Sequence, residues 1–166
     1  MHVFAPMTTQ ASPRPTAPAP SAVPCACGRL RRATRALTQL YDDALAPAGL
    51  RVNQFSLLRA LRRCGPMRIG DLAARELVDR TALSRNLDPL IARGLVEVVR
   101  GRDARTREVA LTAAGRRELR LAEPHWQRVQ DDVVRRVGAD RLAHLVEALS
   151  DLEQLHPHAT ASEDSR

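Results

Sequence analysis

Arg80, Thr81, Ser84 and Arg85 place two guanidinium forks and two hydroxyls on consecutive helical turns, and Arg102, Asp103, Arg105 and Arg107 gather three more forks around one carboxylate further along. A guanidinium holds its donors in a rigid plane and stays charged, so it pairs with phosphate and bridges the two acceptors of guanine. Hydroxyls donate to phosphate or to base edges. The chemistry of both sets is recognition of a polyanion. A third set is of another kind. Cys25 and Cys27 stand at the start of a helical stretch with Arg29, Arg31 and Arg32 close behind. The positive end of the helix dipole and these arginines favour thiolate, the form of sulfur that peroxides oxidise.

The charge is concentrated where the recognition chemistry is. All 26 basic residues of the chain are arginine, giving a formal net charge of +7 and a pI near 11.0. Between positions 51 and 111, thirteen arginines face seven acids, a balance of +6 that accounts for most of the total. An ordinary solvated face explains any one of these arginines. It does not explain a basic loop joining two strand-like runs directly after a helix. The partner expected is nucleic acid or an acidic surface.

The elements that must hold these residues are helical. With 166 residues, 44% hydrophobic and 2% aromatic, the core is built from Leu, Val and Ala, as packed helices are. Six prolines among Ala, Ser and Thr make residues 1–24 a disordered arm. Residues 25–50 form a first helix, with Leu30, Leu37, Leu40 and Tyr41 at helical spacing and Pro47 and Gly49 as its stop. A second helix runs over about 53–63 with Phe55, Leu58 and Leu61 inward, and a short extended piece follows around Met67 to Ile69. "GDLAARELV" makes a short helix capped by Asp71. In "DRTALSRNLDPLIARG", Leu83, Leu87, Leu90 and Ile91 form the apolar stripe, Pro89 introduces a kink, and Gly94 ends the helix. "LVEVVR" and "REVALT" alternate as strands around "GRDART", a hairpin.

Residues 112–155 are two more helices, broken at Gly138, and residues 156–166 are a polar tail. Their long stripes, among them Leu119, Trp126, Val129 and Val133 and then Leu142, Leu145, Leu149 and Leu152, exceed what the small middle region covers. A homodimer is expected.

The fold class is therefore mainly α with a small β-hairpin: a winged helix-turn-helix over 51–111 between helical dimerisation segments. Its second helix enters a major groove with Arg80, Thr81, Ser84 and Arg85, and its wing reaches the neighbouring minor groove with Arg102, Arg105 and Arg107. The stretch "DRTALSRNLDPLIARGLVEVVRGRDARTREVALTAAG" resembles the MarR family of transcriptional regulators, in its reading-helix segment, its "RGLV", the "RDART" wing and the "LTAAG" that leads into the next helix. The resemblance implies a homodimeric repressor on a pseudo-palindromic operator in double-stranded DNA. Thr81, Ser84 and Arg85 would touch bases or phosphates, and Arg105 would enter the minor groove held by Asp103.

It also implies release by a signal. Cys27 lies fourteen residues before Tyr41, similar to the organic-hydroperoxide-sensing branch, although Arg31 stands where that branch has a further tyrosine. Alternatives are inert thiols, a metal held by Cys25 and Cys27 with Cys64 or His144, and a small aromatic acid between reading head and dimer helices. No cofactor is called for.

Other function classes are less well served. No glycine-rich phosphate loop, nucleophile elbow or paired metal-binding histidines occur, so no enzyme is expected. No apolar run spans a bilayer and the N-terminus lacks the cationic start of a signal peptide, so a soluble cytoplasmic protein without membrane association is expected. Three cysteines do not make a disulfide framework. The rival reading is a basic interaction or membrane-surface module without sequence-specific DNA binding.

Overall fold

The computed structural model describes residues 25–101 and 106–156, and the chain divides into two units, Met1–Arg35 and Ala36–Arg166. The arm expected over 1–24, the tail beyond 156 and the wing residues Arg102, Asp103 and Arg105 lie outside the described residues. In the first unit the start of helix α1 (Ala26–Leu45) is seen, with the Arg29 amide donating to the Cys25 carbonyl at 3.3 Å.

In the second unit α1 ends at buried Leu45, where Pro47 tightens the chain into a 3₁₀ turn (Ala46–Ala48) and Gly49 takes a left-handed φ of 62°. Helix α2 (Val52–Cys64) starts with its first free amides satisfied. The Asp42 carboxylate accepts from the Val52 amide at 2.7 Å, and the Gln54 side chain accepts from the Arg51 amide at 3.0 Å. Phe55, Leu58 and Leu61 face inward as their spacing predicts.

The next helix differs from expectation at its start. Strand β1 (Met67–Arg68) runs directly into α3 (Ile69–Arg75), so Arg68 holds the capping position with extended backbone and no side-chain bond. Asp71 is inside the first turn and is not the cap; its charge there still opposes the helix dipole favourably. The turn out of α3 is a Schellman motif, with Val78 N–H on the Ala73 carbonyl at 3.0 Å and Leu77 N–H on that of Ala74 at 3.1 Å. The left-handed residue is Leu77, φ 51°, where glycine is usual.

Helix α4 (Arg80–Ala92) is capped by Asp79, which accepts from the Ala82 amide at 2.8 Å. Replacing Asp79 by alanine is expected to cost about 1 kcal/mol, read from urea midpoints at unchanged slope. The helix runs through Pro89, whose ring deletes the amide that would bond to the Arg85 carbonyl. Leu83, Leu87 and Leu90 are buried. Ile91 is not part of that stripe: it is 39 % exposed, standing off the Leu83–Leu87–Leu90 direction at about 100° per residue. A second Schellman motif ends α4, with Gly94 left-handed and Leu95 folded back over Leu90, both leucines buried.

Strands β2 (Val96–Arg100) and β3 (Arg107–Leu111) pair antiparallel, Val96 opposite Leu111 and Arg100 opposite Arg107. The extended piece expected around 67–69 joins the hairpin as a third strand, since Met67 of β1 pairs with Val109 and the sheet order is β1-β3-β2. Its extended backbone is legible in the sequence; its pairing is not.

Thr112 caps α5 (Ala113–Val137), accepting from the Gly115 amide at 2.9 Å while its hydroxyl donates to the Gly94 carbonyl at 2.7 Å. Gly138 breaks the chain and α6 (Ala139–Glu153) follows. None of α6 is buried, and Leu145, Val146, Leu152 and Leu155 are exposed, as are Leu37 and Leu40 of α1.

Candidate nucleic-acid interface

Helix α4 is fixed from behind by its buried leucines and presents Thr81, Ser84 and Arg85 to solvent on the other side. At about 100° per residue, Arg85 and Thr81 point most directly away from the leucines. Arg80 lies on the flank, and its guanidinium covers Gly70 of α3, where a Cβ would meet its Nη2 at 2.9 Å. The Arg80 guanidinium would be displaced from this place by a side chain at position 70. With Ala73, Ala74, Leu77 and Val78 it lines a cleft of about 420 Å³ at the elbow between α3 and α4.

Strand β2 of the wing follows α4 directly through the Gly94 turn. Gly101 N–H donates to the Thr106 carbonyl at 2.9 Å and closes the loop that carries residues 102–105. Directly below that closure Arg100 and Arg107 are cross-strand partners, both exposed. Like charges opposite one another weaken a hairpin. The arrangement makes physical sense where an external anion neutralises it. Arg100 was not among the residues expected at the site; the strand register identifies it, and that depends on which residue of the second strand faces it. Arg107 is on the wing as expected, whereas Arg102, Asp103 and Arg105 lie outside the described residues.

Behind the reading face the head is tied to the long helices. Arg93, next after α4, donates from Nη1 to the Gly49 carbonyl at 2.6 Å and from Nη2 to Glu118 of α5 at 3.2 Å. Arg62 of α2 pairs with Glu123 of α5 at 2.6 Å. Trp126 stacks on Phe55 at 5.9 Å between ring centres, and the Arg59 guanidinium sits 4.3 Å above the indole. This places Trp126 as an anchor between α2 and α5, beside an open cleft of about 540 Å³ that Arg59 and Arg120 border.

The sensing candidates are spread over both units. Cys25 immediately precedes α1 and Cys27 is in its first turn, both thiols exposed. Tyr41 is half-buried, its hydroxyl donates to Gln130 of α5 at 2.6 Å, and burial raises its phenol above the ordinary value. Cys64 is exposed at the end of α2. Among the described residues no three metal-ligating side chains converge, so the alternative of a metal at Cys25 and Cys27 gains no support. No described helix is long and apolar enough to cross a membrane.

Known proteins share this architecture. A model of the MarR family matches residues 50–106, which span α2, the reading helix and most of the wing. The transcriptional regulator MosR of M. tuberculosis, solved in complex with DNA, is 42% identical, with 80% of this chain and 96% of that one covered and a TM-score of 0.72. A variant of MarR from E. coli, solved with operator DNA, is 26% identical over 75% of this chain and 91% of its own, with a TM-score of 0.68. Wild-type MarR from E. coli, at 23% identity and a TM-score of 0.64, shares the fold. The comparison with curated proteins returned no match.

Proposed function

The chain belongs to the MarR family, and from that premise we propose that it is a homodimeric repressor that binds a pseudo-palindromic operator and lets go when a signal reaches its helical region. It is a DNA-binding transcriptional regulator, and regulators of this family are generally non-enzymatic. The observation that carries the reading is the pairing of Arg100 with Arg107 beside a reading helix whose outer face is Thr81, Ser84 and Arg85. A hairpin that sets two guanidiniums opposite each other is built for phosphate. The exposed leucines of α1 and α6 support a second copy of the chain as partner, since surfaces of this kind are otherwise uncommon in monomers. The site of action is the cytoplasm, where the DNA is.

The test is fluorescence anisotropy on labelled DNA from upstream of the protein's own gene, against scrambled competitor, between low and moderate salt. Specific binding that loses several decades of affinity as salt rises is expected. Salt-sensitive binding indifferent to sequence would favour the basic interaction module instead.

For the signal, exposure of Cys25 and Cys27 at a helix start supports oxidation. An organic hydroperoxide would pass one oxygen to the Cys27 thiolate, giving a sulfenic acid and an alcohol, and dithiothreitol would return the thiol. Oxidised wild type is expected to release the operator, reduced protein to rebind it, and Cys27→Ser to hold on throughout. A Cys27→Ser protein that still releases the operator under peroxide would exclude Cys27 as sensor.

A further inference from the structure

Asp88 is an acid on a surface otherwise built for anions. It is exposed on α4, one turn beyond Ser84 and two beyond Thr81. At about 100° per residue, it points roughly 130° away from the mean direction of Leu83, Leu87 and Leu90. Thr81 and Ser84 flank that direction on either side. Among the described residues it has no ion pair and no side-chain hydrogen bond; neither Arg85 nor Arg93 neutralises it, and Arg93 is engaged with Gly49 and Glu118. A bare carboxylate here repels every phosphate the neighbouring arginines attract. It lowers affinity for DNA in general.

We propose that Asp88 determines specificity by requiring cytosine at one position of each half-site, an inference that rests on the DNA-binding reading above. An ionised carboxylate only accepts hydrogen bonds. In the major groove guanine offers two acceptors, thymine one, and adenine an acceptor beside its amino group. Cytosine alone presents a donor, its N4 amino group, with no acceptor of its own beside it. A base that matches recovers part of what the carboxylate loses against the backbone, and a base that does not match leaves a buried charge facing a lone pair. Discrimination thus comes from rejection as much as from attraction.

The experiment is selection from a pool of random duplexes by the full chain, as wild type, Asp88→Asn and Asp88→Ala, with sequencing of the bound DNA and a salt titration of each protein. Wild type is expected to enrich one fixed cytosine per half-site. Asp88→Asn should move that position toward adenine, whose edge an amide matches with two bonds. Asp88→Ala should relax it by about tenfold while binding scrambled DNA more tightly. Ser84→Ala should keep the cytosine, which separates this position from its neighbours. Identical preferences in wild type and both Asp88 variants overturn the proposal and leave the regulator intact. A wild type that enriches no sequence overturns both. Melting curves matching wild type, as an exposed position predicts, confirm that altered selection reflects contact and not folding.

Discussion

Gly115→Ala is expected to destabilise the protein by about 3 kcal/mol or more, against the usual sign for this substitution within a helix. Alanine in place of helical glycine ordinarily stabilises by about 1 kcal/mol. Here the new Cβ would stand inside the van der Waals surface of the Leu95 carbonyl oxygen and 2.7 Å from Cδ1 of Leu111. Neither neighbour has room to retreat. The Leu95 carbonyl accepts from the Thr112 amide at 3.2 Å and from its hydroxyl at 3.1 Å, and Leu111 is held in register with Val96. Withdrawing α5 would pull the Thr112 hydroxyl from the Gly94 and Leu95 carbonyls. Gly28, also helical, has nothing among the described residues within 4 Å of its added methyl group. Gly28→Ala should therefore gain about 0.5–1 kcal/mol. Opposite displacements of the two melting curves would establish the cause, and a stabilised Gly115→Ala protein would show that the joint between wing and α5 yields.

The second large effect is on binding. Removing both Arg100 and Arg107 should reduce operator affinity at low salt by roughly ten- to a hundredfold, and should flatten log K against log salt by about one for each arginine removed. Sequence preference should survive, because these side chains address phosphate. Thermal stability should rise slightly, since two like charges no longer face each other across the hairpin. Loss of affinity together with gain of stability is a combination that damage to the fold does not produce. An unchanged salt slope would remove the wing strands from the interface.

The parts of this architecture that were legible in the sequence are those written as periodicity. Leu83, Leu87 and Leu90 announced the reading helix and its buried side, Pro47 and Gly49 the end of α1, and two alternating runs the hairpin. What escaped depends on partners distant in the chain or on backbone angles. The extended piece at Met67 is legible, but its place in the sheet depends on Val109, more than forty residues on. Leu77 carries a left-handed φ that its side chain does not advertise. Asp71 looked like a cap because aspartate is a frequent one, but strand β1 had already delivered the chain to Arg68 in the extended conformation that starts a helix. At the interface, composition pointed to arginines and hydroxyls, whereas Asp88 and Arg100 required knowing which way a helix turns and which residues lie opposite. Arg102 and Arg105 are expected in the minor groove, with Asp103 holding Arg105, and all three lie outside the described residues.

Arg93 also acts as a mechanical joint. Its guanidinium joins the end of the reading helix to the turn after α1 and to Glu118 of α5, so that end is keyed to its shaft. If α5 swings, the bond from Arg93 to Glu118 must move with it or part, while the bond to Gly49 still holds the end of α4 to the turn after α1. Arg93 shares the coupling of the head to α5 with the Arg62–Glu123 pair and the Phe55–Trp126 stack.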